Sequence, residues 1–231
     1  MKIIRNDKLI QRNGKIGQYT SLAALAVLGI GMYLSLTRPE LFSYSILSLL
    51  LGFTLTQVGM YMSNRWGRSP RPDEKLDSGL KGLHSEFHLY HYATPASHFL
   101  LGPAGTWVLV PRHQRGTVQY KNGRWRLSGG GFLQGYMSIF GQEGLGKPHV
   151  DARDEVAALQ KFLTKRLEPQ DVPEVRALIV FTQEFLELDA DESPVPAVKL
   201  KQLKEFIRRE SRNRVLSTDT ITHLANIIGE N

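Results

Sequence analysis

The chain contains no cysteine. That excludes disulfides, thiolate nucleophiles and Cys-ligated metals, and it fits a reducing compartment. Charge is also missing over long stretches. No charged residue of either sign occurs from Ile16 to Thr37 or from Leu41 to Asn64, and no Asp or Glu lies between Glu86 and Glu143. No internal repeat is present. The formal net charge is +7 over 231 residues, yet the basic excess sits at one end. Up to Lys75, ten Lys/Arg face four Asp/Glu; from Leu76 onward, nineteen face eighteen. The basic balance therefore describes the N-terminal part and is no argument for nucleic-acid binding by the rest.

The two uncharged runs each reach the ~20 residues that carry a helix across a ~30 Å hydrocarbon core. They predict two transmembrane helices, about 16–36 and 43–64. A cleavable signal peptide accounts for one run and leaves the second unexplained. Only Arg38, Pro39 and Glu40 separate the runs, so a tight hairpin with both chain ends on one side is expected. Lys2, Arg5, Lys8, Arg12 and Lys15 precede the first span, and Arg65, Arg68, Arg71 and Lys75 follow the second, against Arg38 alone between them. By the positive-inside rule both termini and the soluble domain face the cytoplasm. The expected organisation is a basic N-terminus over 1–15, the spans within 16–64, a basic Pro-rich linker over 65–78 and a soluble domain over 79–231. The linker's cations would lie at headgroup level, where anionic lipid attracts them. Thr54, Thr56 and Gln57 in the second span admit a polar pathway or plain helix–helix packing, which Gly29, Gly31, Gly52 and Gly59 would let close up. No ionisable side chain lies within either span, which weighs against an ion pathway.

Beyond the linker, apolar spacing predicts a helix over 80–92 ended by Pro95, a short strand over 98–101 and a strand over 106–110. The segments 117–120 and 124–127 flank Asn122-Gly123, a strong hairpin signal. Residues 129–146 are rich in glycine and read as a long loop. A helix over 151–167 carries Val156, Leu159, Phe162, Leu163 and Leu167 on one face, and the continuous apolar run 176–181 suits a buried central strand. Edge strands near 186–188 and 195–200 and helices over 201–209 and 218–228 complete an α/β order with one sheet.

The run HFLLGPAGTWVLVPRHQRGTVQYKNGRW resembles the core of the nuclease-related domain (NERD) family. That resemblance implies a restriction-endonuclease-like fold, with a mixed sheet, extending from about Gly79 to the end of the chain. The positions that fit are Gly79, Gly82, His98, Gly102, Pro103, Gly105, Gly116, Asn122, Gly123 and Trp125, followed by the helix from Asp151 and the strand RALIVF. The family's catalytic positions do not fit. Its helix Glu falls on Leu83, its strand Asp on Ser97, its catalytic Glu on Val110 and its Lys on Arg112. Such nucleases hold Mg²⁺ with strand carboxylates, because a hard cation wants anionic oxygen and must activate water beside the phosphate. The acid-free stretch from residue 87 to 142 offers none of these ligands.

Binding survives such a loss more easily than catalysis. Arg112, Arg115, Lys121, Arg124 and Arg126 form an acid-free basic series with Tyr120 and Trp125 interleaved. It reads either as a phosphate face on which single-stranded nucleic acid stacks, or as a solvated hairpin with Trp125 packed on the sheet. A guanidinium at 112 stays charged and will not take over a lysine's proton-linked tasks. His84, His88 and His91, at i, i+4 and i+7 of the expected helix, could contribute to a Zn²⁺ site. One straight helix cannot supply all three, because i to i+7 spans about 10 Å of rise.

The sequence thus leads to a membrane-anchored, cytoplasm-facing nuclease-related module without cofactor, acting by binding lipid headgroups, nucleic acid or a protein, a second copy of itself included. The alternative is a divergent Mg²⁺- or Zn²⁺-dependent nuclease or phosphodiesterase using histidines and the remote acids Glu86, Glu143 and Asp151.

Overall fold

The computed structural model describes residues 1–129 and 144–229, so the expected loop over 129–146 lies mostly outside the described residues, and Glu143 with it. The chain divides into two compact units, one comprising Asp7–Arg71 and the other residues 1–6 together with the segments that follow Arg71.

The first unit is a helical hairpin. Helix α1 (Asp7–Thr37) passes through a short turn, Pro39–Leu41, into α2 (Phe42–Met62), and a single π turn, Ser63–Gly67, follows. Both helices are long and apolar enough to cross a membrane. Helix α1 begins well before Ile16, so Lys8, Arg12 and Lys15 stand on its first turns rather than in a loose tail. The buried positions recur every seven residues: Ile10, Gly17, Ala24 and Gly31 on α1, then Ser45, Gly52 and Gly59 on α2, with Trp66 beyond. A strict seven-residue repeat keeps one seam against the partner helix, and small residues on it bring the backbones together. A Cβ at Gly52 would lie 2.6 Å from the Leu28 side chain, and one at Gly59 would collide with Ser21 Oγ. Ser45 Oγ donates to Gly31 O at 3.0 Å across the seam. Leu22, Leu25, Tyr33, Leu47 and Leu50 remain exposed around it. Thr54 and Thr56 donate to the carbonyls of Leu50 and Gly52 in their own helix. Their polarity is thereby met within α2, which favours packing over a polar pathway.

In the second unit a six-stranded sheet runs in the order β1 (Lys2–Arg5), β2 (His88–His91), β3 (His98–Gly102), β4 (Gly105–Arg112), β7 (Val175–Phe181), β9 (Ala197–Lys199). Strands β2, β3 and β4 form an antiparallel meander, while β1 joins β2, β7 joins β4 and β9 joins β7 in parallel. A second sheet, β6 (Arg124–Ser128), β5 (Gly116–Lys121), β8 (Leu186–Asp189), corrects the expectation of one sheet. Asn122 and Gly123 both take positive φ, as the two-residue hairpin between β5 and β6 requires.

Helices cover both faces of the large sheet, so its central strands are buried throughout and read as continuous apolar runs. On one face Phe99, Leu101, Val108 and Val110 meet Leu159 and Leu163 of α4 (Pro148–Thr164) and Leu224 of α6 (Thr218–Gly229). On the other, Leu89, Leu100, Trp107, Leu109 and Leu178 meet Leu76 and Leu80 of α3 (Pro72–Leu80) and Leu203 and Ile207 of α5 (Leu200–Ser211).

Three sequence expectations are corrected here. The basic N-terminus expected over 1–15 divides between two elements, because Lys2–Arg5 is an edge strand of the large sheet and α1 begins at Asp7. The region 65–78 is not all linker, because α3 occupies Pro72–Leu80 with Leu76 and Leu80 buried one turn apart. The helix expected over 80–92 is absent. Gly82, at φ +83°, turns the chain away at the end of α3, and His88–His91 continues as strand. The apolar residues Leu80, Leu83 and Phe87 do share a helical spacing, but they are buried through a helix end and a turn. Over so short a run periodicity cannot separate the two.

Candidate functional site

The four positions that the resemblance marks as catalytic lie apart from any shared cluster of acids. Leu83 is buried in the core beside α3. Val110 is 3% exposed among the apolar residues facing α4. Ser97, just before β3, and Arg112, at the end of β4, instead meet two carboxylates of α4 spaced one turn apart. Ser97 donates its backbone N–H to Glu155 Oε2 at 2.9 Å and its hydroxyl to Oε1 at 3.1 Å. Arg112 forms an ion pair with Asp151. Both strand positions thus carry hydrogen-bond donors, and the facing helix α4 supplies the carboxylates that accept from them. Both are charge-assisted contacts, made to an ionised carboxylate.

The histidines do not converge as expected. His84 lies in the turn after α3, 71% exposed at its side chain, with Nδ1 3.3 Å from Glu86 Oε2. His88 and His91 lie on β2, three residues apart, and a period of two sends them to opposite faces. His88 is half-buried, and burial first, then the nearby Lys2 and N-terminal ammonium, push its pKa below the usual imidazole value. Burial lifts the Tyr90 phenol to about 12, so it stays protonated at neutral pH. Among the described residues no group of three His, Asp or Glu side chains is placed to hold a metal ion.

His91 belongs to a different arrangement, which the sequence did not announce. Its Nε2 lies 2.9 Å from Asp77 Oδ1, and its Nδ1 lies 2.8 Å from Nδ1 of His98. With a proton on Nε2 to meet the carboxylate, His91 accepts at Nδ1 the proton of His98. Asp77 also pairs with Arg5, whose Nε lies 3.2 Å from Oδ2 of the fully buried Asp73. Arg5, Asp73, Asp77, His91 and His98 thus tie β1, α3, β2 and β3 together beneath the sheet edge. Asp73, Asp77 and Glu155 sit far in sequence from their partners, and only the i, i+4 spacing of Asp151 and Glu155 was there to be noticed.

The basic hairpin separates its charges from its aromatics. In the register Tyr120↔Trp125 and Lys121↔Arg124, alternation puts Lys121, Arg124 and Arg126 on one face and Val118, Tyr120, Trp125 and Leu127 on the other. Trp125 packs toward Phe181, ring centroids 6.0 Å apart, and donates Nε1–H to His149 Nδ1 at 3.0 Å. The interleaved aromatics thus lie on the face of the hairpin that packs toward Phe181, opposite the cations. Lys121 is paired with Asp189 at 2.9 Å and Arg112 with Asp151, while Arg115 is exposed. Among the described residues neither Arg124 nor Arg126 meets a carboxylate.

Glu86, the other remote acid, is fully engaged. Oε1 accepts from Arg214 at 2.7 Å and from Thr218 at 2.8 Å, and Oε2 faces His84. The Thr218 hydrogen bond first, then Arg214, hold its pKa below the ordinary carboxylate value.

No protein-family model, curated protein or solved structure matches the chain.

Proposed function

We propose that the two helices anchor in a membrane a cytoplasmic nuclease-related domain of restriction-endonuclease-like fold, and that this domain has lost metal-dependent cleavage and acts as a binding or docking module. The observation that carries the reading is the pair of contacts Ser97–Glu155 and Arg112–Asp151. Two of the positions that the resemblance assigns to metal chemistry hold hydrogen-bond donors, and α4 supplies the compensating carboxylates. Support for the fold comes from element order: β3, the turn to β4, β4 itself, the β5–β6 hairpin, α4 and the parallel strand β7 follow one another as the resemblance implies.

Support for the orientation comes from β1. Strand β1 precedes the helical hairpin and β2 follows it, and their pairing requires both hairpin ends on one side of a bilayer. The flanking Lys and Arg make that side the cytoplasm. On the module's surface Arg124 and Arg126 of β6 offer a contact to phosphate groups, one that weakens with salt because it works by displacing condensed counterions.

Labelled single- and double-stranded DNA and RNA, incubated with the full chain in nanodiscs and Mg²⁺, Mn²⁺ or Zn²⁺, should stay intact whether or not EDTA is present. The full chain is needed, since a fragment starting at Leu76 lacks β1 and half of α3. Chelator-sensitive cleavage that disappears in Asp151→Ala or Glu155→Ala would overturn the reading and favour a rebuilt metal site.

A further inference from the structure

A cleft of about 410 Å³ lies between the turn after α3, the β3–β4 turn and the end of α5, lined by Leu83, Phe87 and Pro103 on its apolar side and by Arg208, Ser211 and Arg214 opposite, with His84 and Glu86 at the turn. Its volume is that of a small-molecule site. Its walls are fixed by the fold. Val215 N–H donates to Pro103 O at 2.9 Å, tying the α5–α6 connection to the β3–β4 turn. Arg208 Nη2 donates to Gly82 O at 3.3 Å, tying α5 to the turn after α3.

The charges in this cleft are unequal. Glu86 is its one carboxylate, and Arg214, Thr218 and His84 already surround that group. Arg214 balances Glu86, so the charge of Arg208 is left without a counter-ion among the lining residues. The donors are also in excess. Each guanidinium carries five N–H groups, and the contacts made by Arg208 and Arg214 use a single terminal nitrogen of each. The geometry points to a binding site for an organic oxyanion, a carboxylate or phosphate monoester, whose short apolar stem rests on Leu83, Phe87 and Pro103. Arg208 is the anchoring residue, Arg214 contributes its spare donors, and Glu86 positions Arg214.

The test is calorimetric titration of the full chain, in phosphatidylcholine nanodiscs, with phenyl phosphate, benzoate and inorganic phosphate. Saturable binding of the two aromatic anions is expected, with inorganic phosphate at least tenfold weaker for want of a stem. Arg208→Gln should weaken phenyl phosphate at least tenfold, while Arg209→Gln, whose guanidinium lies 5.2 Å from the Phe206 ring outside the cleft, should leave it unchanged. Repeating the titration in discs containing phosphatidate distinguishes the natural source. Competition identifies a lipid headgroup, and its absence a soluble metabolite. Absence of saturable binding, or equal effects of the two Arg variants, would overturn the proposal.

Discussion

Arg5→Ala tests whether the N-terminal strand is held by the ion pairs described for it. The substitution removes the guanidinium from Asp73, which is fully buried, and from Asp77, which is 20% exposed at its side chain. Removing one partner of a buried pair costs about 3–5 kcal/mol, because the remaining charge keeps its desolvation cost. Arg5 is itself 24% exposed at its side chain, so water recovers part of that loss and the lower end, about 3 kcal/mol, applies. At 1.4 kcal/mol per decade this multiplies the opening constant of β1 by roughly 100. Hydrogen exchange of the full chain in nanodiscs reads it directly. The amides of Lys2 and Asn6 donate to Phe87 O and His91 O, so exchange in residues 2–6 should quicken by about that factor. A Lys8→Ala control should change nothing there. The double variant Arg5→Met with Asp73→Asn should recover much of the protection, since the buried charge is gone. Unchanged exchange in Arg5→Ala, or purely additive losses in the double variant, would refute the reasoning.

Gly59→Leu forces a side chain where Ser21 backbone N already lies 3.1 Å from the position of a Cβ. The seam should open at a cost of at least 1–3 kcal/mol, read as a lower SDS midpoint for loss of helical structure in micelles. For Glu86 the folded pKa lies below the ordinary 4.5, so its stabilisation is full above that value and fades as pH falls through the folded pKa. Urea midpoints measured from pH 3 to 7 should therefore converge between wild type and Glu86→Gln at the acid end and separate above pH 4.5; parallel curves would contradict the assignment. Trp125→Phe should cost about 1 kcal/mol through the lost hydrogen bond to His149, while single-stranded DNA should leave the fluorescence of wild-type Trp125 unquenched, because the ring faces Phe181. Quenching attributable to Trp125 would restore the stacking reading.

What was legible in the sequence is what local periodicity and turn chemistry encode. The two apolar helices, the β3–β4 turn, the Asn122-Gly123 hairpin, α4, β7, α5 and α6 all stand close to where spacing placed them. The stretch without Asp or Glu between Glu86 and Glu143 was legible too, being a matter of counting. Errors fell where an element is short and its partner remote. Strand β1 has four residues and pairs with β2 across the whole helical hairpin, so nothing local distinguishes it from a basic tail. Residues 80–92 carry apolar spacing compatible with a helix, and only the sheet edge waiting beside β3 makes His88–His91 a strand. The contacts of Glu155 with Ser97 and of Asp77 with His91 depend on the assembled sheet, which no window of the chain contains.

The order of β1 and β2 along the chain also bears on biogenesis. Strand β1 is synthesised before either long apolar helix, and its partner only after both. If one helix alone inserted, β1 and β2 would end on opposite sides of the bilayer, Arg5 could not reach Asp73 or Asp77, and the large sheet would lack its edge. On the proposed anchoring, closing the α/β unit is therefore a check on insertion: a chain with a single helix across the bilayer cannot pair β1 with β2 and is left with an unpaired strand edge.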